Sequence, residues 1–215
     1  MTKTSVRGAS LVAAIAAAMG LLAAPAGAAP FPALTWPFEA GQQVYSAGIH
    51  SDNGSTGVKN AIDFSPADGT VRASEAGTVH LQHCSGGDWV TVDHAGGLRT
   101  GYYHLEGIRV ADGEQVAAGT VLGSTGNALP CGGSSTGAHV HFTLWTLPDA
   151  AAGDWDGIAF ARISTTIAAA LGEPVDGKTL GGWRFTAGAG QYSGTATHLA
   201  DNTVVQLPGR FRASF

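Results

Sequence analysis

Several residue types and patterns are scarce in this sequence, and each scarcity removes a class of protein. Cysteine occurs only at Cys84 and Cys131. Neither has a second cysteine at metal-ligand spacing, which argues against a thiolate-built metal centre. Lysine and arginine total 11 against 16 aspartates and glutamates. Clustered basic charge that tracks a phosphate backbone is therefore missing, and nucleic acid is not expected as a partner. No repeat with a period of roughly 20–50 residues is visible. Helical periodicity is limited to one short candidate at residues 164–171.

What is present begins with an export signal. Lys3 and Arg7 form a short basic region, residues 11–24 are apolar and rich in Ala and Leu, and Ala26-Gly27-Ala28 has the small-x-small form of a signal-peptidase site. The apolar run is short for a membrane span and no stop-transfer pattern follows, so a cleaved signal at residues 1–28 is favoured over a transmembrane anchor. Its removal takes Lys3 and Arg7 with it and moves the formal charge from −5 to −7. A secreted, extracellular chain with no membrane anchor is the expectation. Between Cys84 and Cys131 one disulfide is the default in an oxidising compartment, with two free thiols as the alternative.

Glycine numbers 32 of 215 residues, about twice ordinary usage. Spread between short alternating apolar runs, it marks tight turns and predicts an all-β, antiparallel protein. Residues 29–43 read as an extended lead-in that packs an aromatic such as Trp36. Residues 44–146 read as the core, with strands around Val44, Ile62, Val79, Val92, Tyr102 and Val121. Residues 147–215 read as a short β-rich extension packed on the same domain and sheet.

His139 and His141 are one residue apart on a predicted strand, so both project to one face. Of the eight histidines, His80, His83, His94 and His198 lie in ordinary strand or turn contexts. His50, His104, His139 and His141 instead sit beside Gly or within apolar-aromatic strands, where an unpaired imidazole is costly to bury. Asp63 lies inside the apolar Ala61-Ile62-Asp63-Phe64 run and needs a partner: an arginine, backbone amides or a metal. Four histidines and a carboxylate suit zinc, and a catalytic zinc site needs only three protein ligands. The residues left over then serve proton transfer or transition-state stabilisation. The bland alternative is a polar strand edge with satisfied histidines.

The ordered set His50, Asp63 in an Ile-Asp-Phe strand, Tyr103-His104-Leu105 and Gly137-x-His139-x-His141-Phe142 resembles the lysostaphin-type (LytM) zinc metallopeptidases. In that family's main branch the first histidine lies four residues before the aspartate, a position held here by Lys59. The wider spacing resembles the staphylolysin and β-lytic protease branch. So do the cysteines bracketing the Tyr-His-Leu strand, and the downstream Gly181-Gly182-Trp183 with Tyr192-Ser193-Gly194. Two features depart from that branch. Residues 29–49 leave no room for a long pro-region, and no cysteines remain for a second disulfide.

The resemblance implies the fold of those peptidases, a duplicated-hybrid-motif-like antiparallel sheet with long loops forming a groove. It implies one zinc ion per chain bound by His50, Asp63 and His141, with His104 and His139 beside it as catalytic groups. One of that pair would take a proton from water and the other would steady the oxyanion. Tyr103 or Tyr192 would add a phenolic contact to substrate or transition state, with aromatic packing as the alternative for each. The implied substrates are Gly-containing peptide bonds in bacterial peptidoglycan, or Gly-rich proteins; a monomer is expected, though no residue pattern bears on oligomeric state. A different class of reading is a non-catalytic module of the same fold that binds cell wall or regulates a hydrolase. Because such modules lose site residues and all five are present here, the enzyme is favoured. A plain secreted β-domain with incidental histidines is the third reading.

Overall fold

The strand Val140–Thr146 shows why this chain becomes sheet and where its centre lies. Val140, Phe142 and Leu144 point to one face, His141, Thr143 and Trp145 to the other, and all six are buried. A strand covered on both faces belongs in the interior of a sheet. In this computed structural model, which describes Met1 and residues 31–54 and 57–215, it is a central strand of an eight-stranded sheet. The expected signal segment, Met1 apart, lies outside the described residues. The strand order is Gly209–Arg212, Gln43–His50, Ala61–Pro66, Val140–Thr146, Leu98–Tyr103, Gly87–Asp93, Gly77–Cys84 and Gln115–Val116. Every neighbouring pair is antiparallel. No helix among the described residues is long and apolar enough to cross a membrane.

The two faces carry separate apolar clusters. Ile49, Ile62, Phe64, Val90, Tyr102 and Phe142 lie on one. Trp36 of the lead-in covers them, stacked on Phe38 at 5.1 Å between ring centroids and edge-on to Phe64 and Phe185. Trp89, Tyr103 and Trp145 lie on the other face, against Trp155, Phe160 and Ile163. The helix here starts earlier than periodicity predicts. It runs as Phe160–Arg162, wider π-type turns over Ile163–Ile167, and Ala168–Leu171. Docking sets its start: the Phe160 ring stacks on Tyr103 at 4.1 Å, and its N–H donates to Cys131 O at 2.8 Å.

The C-terminal part also differs from the expected addition to one sheet. Thr179–Leu180, Trp183–Ala187, Gly194–His198 and Val204–Leu207 form their own four-stranded sheet. Only Gly209–Arg212 returns to the main sheet, pairing with Gln43–His50 at its edge.

One irregularity decides which way the end of strand Gln43–His50 faces. Val44 and Ile49 both enter the same apolar cluster. They are an odd number of residues apart, which a regular strand cannot place on one face. Ser46 pairs with Phe64 and Gly48 with Asp63, so Ala47 is an extra residue, a β-bulge. The bulge turns the following residues over. Ile49 then faces the core and His50 faces the opposite side, together with Asp63.

The disulfide expected as the default forms between Cys84 and Cys131, across 47 positions of sequence. It ties the end of the Gly77–Cys84 strand to the loop that enters the histidine strand, and Gly86 N–H donates to Pro130 O beside it at 3.0 Å. Closing a loop of this length stabilises the folded chain by about 4 kcal/mol in the chain-entropy picture. A Cys84→Ser/Cys131→Ser double variant is therefore expected to lose stability of that order in denaturant unfolding. A loss below ~1 kcal/mol would mean the tether constrains little.

His94 gives a pH prediction away from the candidate site. Burial holds its pKa below the ordinary value, against the opposing effect of its contact with Ala76 O. The unfolded chain thus takes up a proton near pH 6.5 that the folded chain resists. The stability present above that pH is lost as pH falls through it. Unfolding free energy measured from pH 7.5 down to 5 should fall more steeply for wild type than for His94→Gln; parallel curves would refute the assignment.

Candidate active site

Asp63 and His141 are direct cross-strand partners in the register of Ala61–Pro66 on Val140–Thr146, so their side chains rise together from one face. His50 comes from the next strand, where its partner is Ala61. That makes it the diagonal neighbour of Asp63 on the same face. Ligand atoms of His50, Asp63 and His141 lie within 4.8 Å of one another, and all three residues are buried. His50 Nε2 is 3.1 Å from Asp63 Oδ1, and His141 Nδ1 is 3.0 Å from the same oxygen.

His104 and His139 stand beside this trio. His104 directly follows Leu98–Tyr103 with a left-handed φ of 69°, a conformation that costs a non-glycine residue about 1–3 kcal/mol and clusters at functional sites. Its ring is 4.6 Å from that of His139 and 5.9 Å from that of His141, centroid to centroid. His139 Nε2 approaches Asp63 Oδ1 at 3.6 Å. Together the five predicted residues line one open cleft of about 780 Å³.

Backbone contacts decide which nitrogen each ring presents. A carbonyl can only accept, so the ring nitrogen facing it carries the proton. Nδ1 of His50 faces Ser51 O at 2.8 Å, Nδ1 of His104 faces Ala128 O at 2.9 Å, and Nδ1 of His139 faces Gly137 O at 2.6 Å. Each of these imidazoles, when neutral, keeps its lone pair on Nε2. His50 Nε2 is buried and has no hydrogen-bond partner of good geometry despite its closeness to Asp63. A buried lone pair without a donor, next to a second imidazole and a carboxylate, fits a divalent metal with the N,N,O preference of zinc.

Charge in the cleft follows from burial and pairing. Burial alone would favour a neutral Asp63, but the hydrogen bond and charge of His141, with the His50 imidazole beside them, outweigh it and hold its pKa well below the carboxylate range. Burial opposes protonation of His141 as well, yet Asp52 and Asp63 on its two edges raise its pKa to about 10. His104 moves the opposite way: burial, then the charge of His141, push it down to about 4. It is a neutral imidazole near pH 7.

The two tyrosines separate. Tyr103 is buried; its hydroxyl donates to Gly132 O at 2.8 Å and accepts from Cys131 N–H at 2.9 Å. It braces the loop that leads to His139. Tyr192 stacks on His50 with ring centroids 4.3 Å apart and remains part-exposed at the rim of the cleft. The other histidines stand outside this group: His80 is 3.2 Å from Asp93, His83 is 2.6 Å from Asp88, His94 lies between Ala76 O and Thr100 Oγ1, and His198 contacts Asp201.

Sequence reasoning missed Asp52 and the work of Lys59. Asp52 reads as part of a polar surface loop, yet it is buried with Oδ1 2.5 Å from His141 Nε2. The available signal was an acidic residue two positions after a candidate ligand. Lys59 donates to the carbonyls of Gly188, Ala189 and Gly190, at 3.3 Å for Ala189 and 2.8 Å for Gly190. That loop leads into Tyr192, whose φ is 54°. It presses on the bulge so closely that a Cβ on Gly48 would sit 2.5 Å from Tyr192 O.

Comparison with known proteins finds similar chains. The profile of Peptidase family M23 matches residues 57–152. Protease LasA of Pseudomonas aeruginosa is 38% identical over an alignment of 129 residues that covers 54% of this chain and 30% of LasA. The β-lytic metalloendopeptidase of Lysobacter enzymogenes is 34% identical over 122 residues, 52% of this chain and 67% of that protein. The chain thus spans less than a third of LasA and about two thirds of the Lysobacter protein. Among solved structures, the M23 metalloprotease pseudoalterin superposes with a TM-score of 0.65 at 23% identity, covering 86% of this chain and 99% of that one. At that identity the likeness establishes the fold.

The Lys59 contacts carry a testable consequence. Lys59→Met should speed amide hydrogen exchange at residues 188–194 while leaving the Val140–Thr146 strand protected. Unchanged exchange in 188–194 would show that the loop holds without the lysine.

Proposed function

The chain belongs to peptidase family M23, and we propose that it is an exported zinc endopeptidase that hydrolyses Gly-containing peptide bonds of bacterial peptidoglycan. The observation that carries this reading is the convergence of His50, Asp63 and His141 in one buried cluster, flanked by two imidazoles whose protons are committed to backbone carbonyls.

In this reading His50 through Nε2, Asp63 through its carboxylate and His141 through Nδ1 hold the ion. When bound, zinc supplies Lewis acidity at the scissile carbonyl and makes water acidic enough to attack near neutral pH. The chain's own residues do the rest. His139, anchored through Nδ1 on Gly137 O, offers an Nε2 lone pair 3.6 Å from Asp63 Oδ1 and accepts the proton of the attacking water. His104, neutral near pH 7, offers a second Nε2 acceptor. Whichever ring has taken the proton becomes a donor, able to hydrogen-bond the developing oxyanion or protonate the leaving amine. Tyr192 places a phenolic group at the edge of the same space.

The cleft supports a substrate of small, uncharged residues. Gly54, Gly133, Ser134 and Ser135 are among its lining, and no lysine or arginine lines it among the described residues. Such a wall fits a flexible, side-chain-poor segment of peptidoglycan cross-link or of a Gly-rich protein. The signal-like first 28 residues support action outside the cell.

Metal content and peptidoglycan hydrolysis of wild type, His50→Ala and His139→Ala test the assignment. His50→Ala is expected to lose both zinc and turnover. His139→Ala should keep zinc while turnover falls about 10²- to 10⁴-fold, the usual share of a general base. Full activity in both variants would overturn the site. Digestion of oligoglycine and of Gly-free peptides tests the substrate, and turnover of the Gly-free peptides alone would refute it.

A further inference from the structure

Asp52 is the buried charge that the reaction scheme leaves unused. It follows strand Gln43–His50 by two residues, and its side chain is completely shielded from solvent. A carboxylate in that position is costly unless a positive or strongly donating group meets it. One does: His141 Nε2, 2.5 Å from Oδ1. The second oxygen, Oδ2, has no hydrogen-bond partner among the described residues. The surrounding loop does not depend on the carboxylate for its shape. Gly54 N–H donates to Ser51 O, Ser51 Oγ donates to Asn53 Oδ1, and Ser51 N–H donates to Gln191 Oε1. Asp52 therefore stands apart from the loop's own hydrogen bonds and is directed at a single atom.

The identity of that atom matters. The two edges of the His141 ring face different ways: Nδ1 toward Asp63 and the candidate metal cluster, Nε2 toward Asp52. An imidazole binds a metal only through a nitrogen with a free lone pair, and the other nitrogen then carries the proton. An ionised carboxylate is an acceptor only. By accepting from Nε2–H it keeps the proton on that nitrogen, so that Nδ1 is the edge a metal takes, and it fixes the rotation of the ring. Such outer carboxylates also make the imidazole a more basic ligand. Asp52 and Asp63 together supply two negative charges, the complement of one divalent cation.

We infer that Asp52 is the positioning residue for the metal-binding edge of His141: its carboxylate holds Nε2–H so that Nδ1 is presented to zinc. The inference rests on the reading of His50, Asp63 and His141 as the zinc ligands. It adds a residue whose carboxylate acts through His141.

The test uses the full chain and zinc alone. Apparent zinc affinity is measured by competition with a chromogenic chelator for wild type, His50→Ala, Asp52→Ala and Asp52→Asn. Thermal unfolding is followed in parallel, and the His141 tautomer is read by ¹⁵N NMR of histidine side chains in the zinc-loaded protein. Asp52→Ala is expected to bind zinc about 10- to 100-fold more weakly. Asp52→Asn keeps an acceptor oxygen without the charge, so it should lose less affinity and retain the Nε2–H tautomer. A role confined to folding would lower the unfolding temperature and leave the affinity of the folded protein and the tautomer unchanged. Wild-type affinity in Asp52→Ala overturns the inference while leaving the ligand set standing. If Asp52→Ala does not fold, Asp52→Asn decides: weaker binding supports the role, and unchanged affinity overturns it. Absence of zinc binding in wild type, or its survival in His50→Ala, overturns the ligand assignment itself and the role of Asp52 with it.

Discussion

The contact between Asp63 and His141 organises this molecule. A carboxylate and an imidazole face each other across two central strands, both buried, with oxygen and Nδ1 3.0 Å apart. Neither could be kept there alone, because an unpaired buried charge is among the most destabilising features a fold can carry. The strands that hold them are fixed by apolar side chains on the opposite face, where Ile62, Phe64, Val140 and Phe142 enter the core. One face of the sheet supplies the stability and the other spends it on polar groups held close together.

The walls of the cleft are held by a few discrete contacts rather than by extended packing. Cys131 is tied to Cys84, and the Tyr103 hydroxyl bridges Cys131 N–H and Gly132 O, so the Gly-rich approach to His139 is anchored where it begins. Phe160 closes beneath it, stacked on Tyr103. Across the cleft, Lys59 gathers three carbonyls of the 188–190 loop and thereby sets Tyr192 over His50. His104 and Tyr192, which flank the cluster, both have left-handed backbones. Such conformations persist only where the surroundings over-determine them, and here the braced loops provide those surroundings.

Much of this was legible in the chain itself, for reasons that are local. Extended backbone that repeats every two residues puts His139, bridged to Gly126 just ahead of strand Val140–Thr146, on the same side as His141. Asp63 in an otherwise apolar run announces a buried partner. Two cysteines in a chain with a signal-like start pair by default, and abundant glycine between short apolar runs reads as antiparallel sheet. The ordered His, Asp, His, His-x-His motif then resembles one peptidase family, to which the sequence comparison assigns the chain.

Features with a period or a composition were readable from the chain alone: the all-β class, the shared side of His139 and His141, and the isolated acid at Asp63, although His139 itself stands just ahead of the strand, bridged to Gly126. Tertiary structure decided the features without one. Counted from Val44, regular alternation puts His50 on the core face; the extra residue at Ala47 reverses it, and pairing with Ala61–Pro66 is what accommodates that bulge. The helix begins at Phe160 because Tyr103 and Cys131 receive it there. Asp52 and Lys59 look like loop polarity until the fold buries one against His141 and lays the carbonyls of residues 188–190 against the other. Local pattern governs which face a residue takes along a regular strand. Only long-range packing can say which partner waits there, because that partner lies tens of residues away in the chain.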